Sequence, residues 1–365
     1  MQVIIIITLS VLFLFFILCP TAVLTATQTA LNLWWNNLVP ALLPFFILNA
    51  LLIRSGSLKI FGKLLKKPLH RFFRLPGEAA FLFLAGYSTG APVAAGLVRN
   101  LRERKLISKS QADILLPATA NASPGFILSA VAVSMLQNEA CGIPLLLTCY
   151  GSNLLLATVS LGLCGKSSRQ REPAIVEVES VASSADSLEQ IIFRSCQTLI
   201  FIGGTVMLCY IFIAFLTEIG IFAYLQPILP YPWGEILTPL SSGILEITAG
   251  SQLLSALEVP LTLKLPLVAT VLSFGGLSAA LQIKNEIRNT DISLGHYLAY
   301  KIIQGAVAFT VSLLILTIPA PVWTETVQTQ TRLWHDGIFP LLLPGIYLLV
   351  SLLSLVFRFL WDGEH

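Results

Sequence analysis

The chain has 365 residues, 55% of them hydrophobic and only 11% charged, with a mean hydropathy of +0.82. Soluble domains carry about a quarter charged residues, so this composition excludes a soluble globular protein and points to an all-α polytopic membrane protein. The net charge is only +3, and the basic residues stand at the edges of apolar runs without interleaved aromatic platforms, which excludes a nucleic-acid partner.

Val3 to Leu24 is the first apolar run. It lacks a basic n-region and a clear cleavage site, so it reads as a transmembrane helix and not as a signal peptide. Asn32 to Asn37 (NLWWNN) sets a Trp pair among polar residues, as expected at a headgroup boundary. Leu38 to Ile53 is the second predicted span, with Pro40 and Pro44 in its first turns, where a missing N–H costs little. Arg54 to Arg74 is the most basic loop. Ile60, Leu64, Leu65, Leu69, Phe72 and Phe73 recur there at helical spacing, which predicts an amphipathic helix on the cytoplasmic face.

The stretch from Glu78 to Asn100 is apolar enough for a bilayer, yet its middle, Gly86-Tyr87-Ser88-Thr89-Gly90-Ala91-Pro92, has turn chemistry. Basic residues flank it on both sides, Lys63 to Arg74 before and Arg99 to Lys105 after. The positive-inside rule puts both flanks in the cytoplasm. The segment is therefore predicted to be a re-entrant hairpin with its tip inside the membrane. Irregular backbone survives at that depth only against protein or a watery cavity. The alternative is one ordinary span packed through Gly86-x-x-x-Gly90, which would leave one basic flank outside.

Ala112 to Leu136 crosses outward and contains Asn121-Ala122-Ser123-Pro124-Gly125. Ser123 can cap a new half-helix that begins at Pro124; a simple kink is the alternative. Gly142 to Leu163 returns inward, and Lys166 to Glu189 reads as a polar cytoplasmic linker. Ile191 to Leu216 crosses outward. Glu235 to Glu258 matches the first hairpin in kind, with a polar centre from Ser241 to Ser251. Leu261 to Gln282 carries an internal break at Ser273-Phe274-Gly275-Gly276. Leu294 to Ile318 and Ile338 to Phe357 complete eight predicted spans and two hairpins. Of the 22 Lys and Arg residues, 18 fall on the inside in this layout, a bias large enough to set orientation with both termini cytoplasmic.

The order helix, hairpin, broken helix, helix occurs twice, first beginning outside and then inside. That is the inverted-repeat arrangement of many secondary transporters. The chain divides into an N-terminal helix and interfacial segment (1–37), a first repeat (38–163), a linker (164–190), a second, inverted repeat (191–318) and a C-terminal helix and tail (319–365). LWWNNLVPALLP at 33–44 and LWHDGIFPLLLP at 333–344 share Leu, Trp and both prolines at the same spacing, like the start of an unfinished third unit.

PALLPFFI at 40–47, LAGYSTGAPVAAGL with LRERKLIS, and TANASPGFILSAVAV together resemble the YlbJ (SpoVV) family of sporulation integral membrane proteins. The family's tip pattern carries a proline where this chain has Ser88. The resemblance covers most of the chain and is most specific over 38–136. It implies kinship with nucleoside-recognition gate domains, which include concentrative nucleoside transporters. It also implies a role in moving dipicolinic acid toward the forespore, across the outer forespore membrane of an endospore-forming bacterium.

The residues themselves suit an anionic, planar cargo. Carboxylates are favoured at half-helix N-termini, and four elements offer hydroxyls, amides and free N–H groups. These are Ser88-Thr89-Gly90, Asn121 with Ser123, Thr248 with Gly250 and Ser251, and Ser273 with Gly275 and Gly276. Two ionisable residues join them. Lys301, two turns into its helix, either pairs a cargo carboxylate or snorkels to the inner surface. Glu246 binds a coupling cation or proton, or pairs with Lys301. Arg194 is shallower and reads as snorkelling.

A nucleoside cargo would use Asn121, Gln252 and Gln282 as readers, and a structural protein of the spore envelope is the alternative outside transport. No catalytic or ATP-binding motif is present, so no enzyme is expected. Six cysteines without C-x-x-C spacing and four scattered histidines predict neither disulfides, a metal nor a cofactor. The expected partners are the small anion and the lipid bilayer, with a homo-oligomer left open.

Overall fold

The computed structural model describes residues 2–55, 82–83, 86–88, 90–163 and 187–317. Among these, every regular element is helical. The expected amphipathic helix, the entry arm of the first hairpin, Thr89, most of the linker and the last span lie outside the described residues.

Helix α1 (Gln2–Leu18) ends at Cys19, and Pro20 opens a new helix, where a first-turn position needs no N–H. The new run comprises α2 (Pro20–Leu33), a π turn (Trp34–Leu38) and α3 (Val39–Arg54). NLWWNN is therefore not a boundary between two spans. It lies within one long helical run, and Pro40 and Pro44 fall inside that run and not at its start. The π turn, closed by Val39 N–H on the Trp34 carbonyl, is the kind of local widening that marks irregularity in a helix. Its polar groups meet protein: Trp34 Nε1 donates to the Leu199 carbonyl at 2.8 Å and Asn37 Nδ2 to Ser134 Oγ at 2.5 Å.

Helices α4 (Ala91–Glu103) and α5 (Lys109–Thr119) follow the first tip. Ser108 and Gln111 form a reciprocal capping box at the start of α5. Residues 120–123 are irregular. The helix restarts at Pro124 and continues as a wide π-type segment (Phe126–Met135), and α6 (Gly142–Leu163) closes the first unit. Helix α7 (Leu188–Glu218) begins at a second capping box, Ser187 with Gln190, inside what the sequence assigns to the linker. A short α8 (Ile221–Leu225) precedes α9 (Trp233–Leu245) and α10 (Ile247–Ala256). Then come α11 (Leu261–Phe274), α12 (Gly276–Glu286) and α13 (Leu294–Thr317).

Five helical stretches among the described residues are long and apolar enough to cross a membrane: Pro20–Leu51, Glu139–Leu161, Leu188–Glu218, Leu261–Glu286 and Leu294–Leu316. The difference from eight has local causes. The first predicted span is split at Cys19, 112–136 is broken at 120–123, and the last lies outside the described residues. Helices α1 and α7 turn large apolar side chains outward, including Phe13, Phe193 and Ile200. A protein of this composition buries such a surface in lipid.

Helices α9 and α10 are separated by one extended residue, Glu246 (φ −150°, ψ 128°), and fold back on each other. Their 13 and 10 residues make them roughly 20 and 15 Å long, against about 30 Å of hydrocarbon. The sequence places this tip between Gly243 and Gly250. The reversal is at Glu246, and the glycines are where the arms touch: a Cβ on Gly250 would collide with the Gly243 Cα. The break between α11 and α12 rests on Gly275 and Gly276, both left-handed (φ 88° and 77°), a conformation that costs other residues roughly 1–2 kcal/mol.

At the basic edge of the molecule the α4–α5 loop is clasped to the α12–α13 loop. Arg102 donates to both Asp291 oxygens at 3.0 and 2.7 Å, Arg99 to Glu286 Oε2 at 3.2 Å, and the Ser293 N–H to Asp113 Oδ1 at 2.7 Å. The hydrogen bonds from Arg102 hold the Asp291 carboxyl below the usual carboxylate range. The clasp's contribution is thus present above that ordinary range and is lost as pH falls through the lowered value. Both side chains face solvent, so it is worth less than about 1 kcal/mol. Arg102→Ala is expected to lower the thermal midpoint slightly at neutral pH and less in acid below the lowered value, where only its bond to the Ile107 carbonyl is lost. An equal loss at both would contradict the pairing.

Candidate functional site

At Gly90 a φ of 93° turns the chain into α4, with Pro92 in the first turn. The first break follows the same logic. Ser123 Oγ accepts from the Phe126 N–H at 3.3 Å, so the serine caps the half-helix that starts at Pro124, as its position before proline predicts. The irregular backbone of the break is satisfied by side chains. Asn121 Nδ2 and Asn153 Nδ2 donate to the Ala118 carbonyl at 3.2 and 2.8 Å, and the Tyr150 hydroxyl donates to the Ala122 carbonyl at 2.9 Å and that of Tyr87 at 3.2 Å. Tyr150 also stacks on Tyr87, with ring centroids 4.5 Å apart. Helix α6 thus supplies the donors and acceptors that a broken segment needs away from water.

At the second tip the Glu246 carboxylate caps α10. Oε2 accepts from the Ala249 N–H at 2.8 Å and Oε1 from Thr248 Oγ1 at 2.9 Å. Gly276 lies against this tip; a Cβ there would sit 3.3 Å from the Glu246 Cα. The tip and the second break are therefore neighbours.

Lys301 does not snorkel. Its side chain is 1% exposed, and Nζ donates to Asn121 Oδ1 at 3.0 Å and to Gln304 Oε1 at 2.8 Å. Gln304 Nε2 in turn donates to Asn121 Oδ1 at 3.2 Å and to the Cys149 carbonyl at 3.4 Å. Among the described residues no carboxylate lies within 4.0 Å of Nζ, so Lys301 and Glu246 are not an ion pair. An ammonium has three donors; two are spent on neutral amides, and Nζ also stands over the Tyr297 ring, 6.0 Å from its centroid.

These pieces line one cavity of about 160 Å³. Gly90, Asn121, Ser123, Glu246, Thr248, Gly275 and Lys301 all contribute to it, together with Tyr297, Ser278 and Gln282. Several sequence candidates stand elsewhere. Gly250 meets Gly243 across the two arms, and Ser251 is buried within α10. Ser88 lies beside the tip, its carbonyl taken by Asn49 Nδ2 at 2.6 Å. Ser273 is buried next to Cys149, and Gly276 packs on the second tip. Thr89 is outside the described residues. Arg194 is exposed, as its shallow position predicts.

Sequence reasoning missed Gln304, Tyr297 and Ser278. Gln304 was legible as the i+3 neighbour of an intramembrane lysine; Tyr297 lies one turn before it. Ser278 carried no signal of its own.

The Gate family model, described as nucleoside recognition, matches residues 35–177, a range that takes in the first tip and the first break. No solved structure matches the chain. Over 341 residues the chain is 30% identical to the sporulation integral membrane protein YlbJ of Bacillus subtilis (strain 168), covering 87% of this chain and 80% of that protein. With that identity over nearly its whole length, the chain belongs to the YlbJ family of sporulation integral membrane proteins.

Proposed function

We propose that this protein is a membrane transporter or facilitator of a small organic anion, dipicolinate during endospore formation, acting in the outer forespore membrane. The observation that carries the reading is Lys301. It is fully buried, bonded only to neutral amides, and directed at a cavity that also holds a capped half-helix start at Ser123. An uncompensated buried charge is costly, and a cargo carboxylate offsets that cost while using the third donor. Dipicolinate adds a planar ring, and the cavity wall includes the aromatic side chains of Phe126 and Tyr297.

The transport architecture in this reading is an inverted repeat of two units, 38–163 and 191–318, with a re-entrant hairpin in each and eight spans in all. Its support is the repeated order of elements, the helices too short to span at 233–256, and the inside placement of basic residues. Self-association of the chain is compatible with it. The gate-family description and the amides of Asn121 and Gln282 in the cavity wall support a second reading, a nucleoside cargo.

The test is transport by purified protein in liposomes. Ser123→Ala removes a cap worth about 1 kcal/mol, and Asn121→Ala removes the amide that holds Lys301. Both are expected to lower dipicolinate uptake severalfold while protein abundance is retained. Unchanged uptake in both would place the cargo elsewhere. Uptake of uridine in preference to dipicolinate would favour the nucleoside reading, and no uptake of either would favour a structural role.

A further inference from the structure

The cavity is small and enclosed by both tips, yet one side of it is continuous with a much larger groove. The groove, about 890 Å³, runs between α7 and α12, and Thr205, Glu246, Ser278 and Gln282 belong to the walls of both spaces. Its far end reaches Asn285 and Glu286, the last residues of α12. Glu286 is held there by Arg99, whose Nη1 donates to Glu286 Oε2 at 3.2 Å and to its backbone carbonyl at 2.9 Å. Both side chains are 36% exposed. Lys284, Arg288 and Arg102 stand close by in sequence, so the positive-inside rule puts this end in the cytoplasm. Along the groove Leu208 and Leu281 present apolar surface, and Gln282 and Asn285 present amides on one edge. Such a surface accepts the faces of a planar ring and the carboxylates at its rim.

We propose that this groove is the cytoplasmic access route to the cavity and that Arg99 is its anion-selecting station, exchanging the Glu286 carboxylate for that of the incoming cargo. The inference rests on the anion-transport reading above. The exchange keeps the guanidinium paired and releases the half-exposed Glu286 carboxylate to water. Glu286 competes with cargo, which makes the pair a selector and not only a structural contact.

Two substitutions in the otherwise native protein test the station. Arg99→Gln is expected to raise KM for dipicolinate about fivefold at low salt with little change in maximal rate, an effect that fades at high ionic strength. Glu286→Gln removes the competing carboxylate, leaving Arg99 with the Glu286 backbone carbonyl and the Glu103 carboxylate 3.8 Å from its Nε, and is expected to lower KM. A structural ion pair would move both variants the same way, and that result, or no change in KM in either, would overturn the assignment.

The route is tested separately and without cargo. Ser278→Cys, in a variant whose six native cysteines are replaced by alanine, is exposed to a membrane-impermeant thiol reagent from each side of oriented vesicles. Labelling from the cytoplasmic side is expected, slowed by dipicolinate. Labelling from the opposite side only, or from neither in folded protein, would overturn the route. Cytoplasmic labelling that dipicolinate does not slow would leave the route standing and contradict the cargo. Should the cysteine-free protein fail to fold, the two charge variants still decide the station.

Discussion

Replacing Lys301 by methionine is expected to lower dipicolinate affinity on the order of 100-fold and to abolish measurable uptake at low substrate. The reason is the third Nζ donor. A hydrogen bond between charged groups contributes roughly 1.5–3 kcal/mol, and here it is made away from water, with no other cation lining the cavity among the described residues. The same substitution is expected to leave the thermal midpoint unchanged or slightly raised. It removes a buried charge held by Asn121 and Gln304, a gain that offsets the loss of the donor to Gln304 Oε1, while Asn121 Oδ1 keeps its bond from Gln304 Nε2. Loss of uptake with retained stability is the signature of a cargo group. Normal uptake by Lys301→Met would mean that the lysine serves packing alone.

Gly250→Val is expected to prevent the protein from accumulating in folded form. The arms of the α9–α10 hairpin touch at Gly243 and Gly250, where even a single Cβ would collide with the opposing backbone. Backbone cannot yield as a side-chain tip can, so overpacking there exceeds the usual cost of about 1–3 kcal/mol. A Cβ on Gly151, by contrast, meets nothing within 4 Å, and Gly151→Ala is expected to be neutral or to stabilise α6 by up to about 1 kcal/mol. Size-exclusion profiles and thermal midpoints in detergent check both. Equal profiles for wild type and Gly250→Val would contradict the hairpin packing.

Much of this was legible before any coordinates, and the reasons are specific. Gly, Ser and Pro inside apolar runs marked the breaks at 121–125 and 273–276 because each is costly in a spanning helix unless its backbone is met elsewhere. A serine before a proline carries its capping role in its spacing. The run from Pro20 to Arg54 was misjudged because Pro40 and Pro44 look like helix starts. Only the π turn at 34–38, anchored by Trp34 and Asn37 on distant helices, shows that the helix continues through. Ser273 was grouped with the site by proximity to Gly275, but the left-handed turn that follows it separates the two, and the serine lies against Cys149. Glu246 was legible as an intramembrane acid and not as a cap, since its role depends on α9 stopping one residue earlier. Gln304 and Asn153 bond to Asn121 and Ala118 across long stretches of chain, and nothing local announces such partners.

The most direct measurement is calorimetric binding of dipicolinate to the purified protein in lipid nanodiscs, beside Lys301→Met and with uridine as comparator. An anion site built on Lys301 predicts saturable binding of dipicolinate at one site per chain, weak or absent binding of uridine, and loss of dipicolinate binding in the variant. No binding of dipicolinate to the native protein, or equal binding by Lys301→Met, would contradict it.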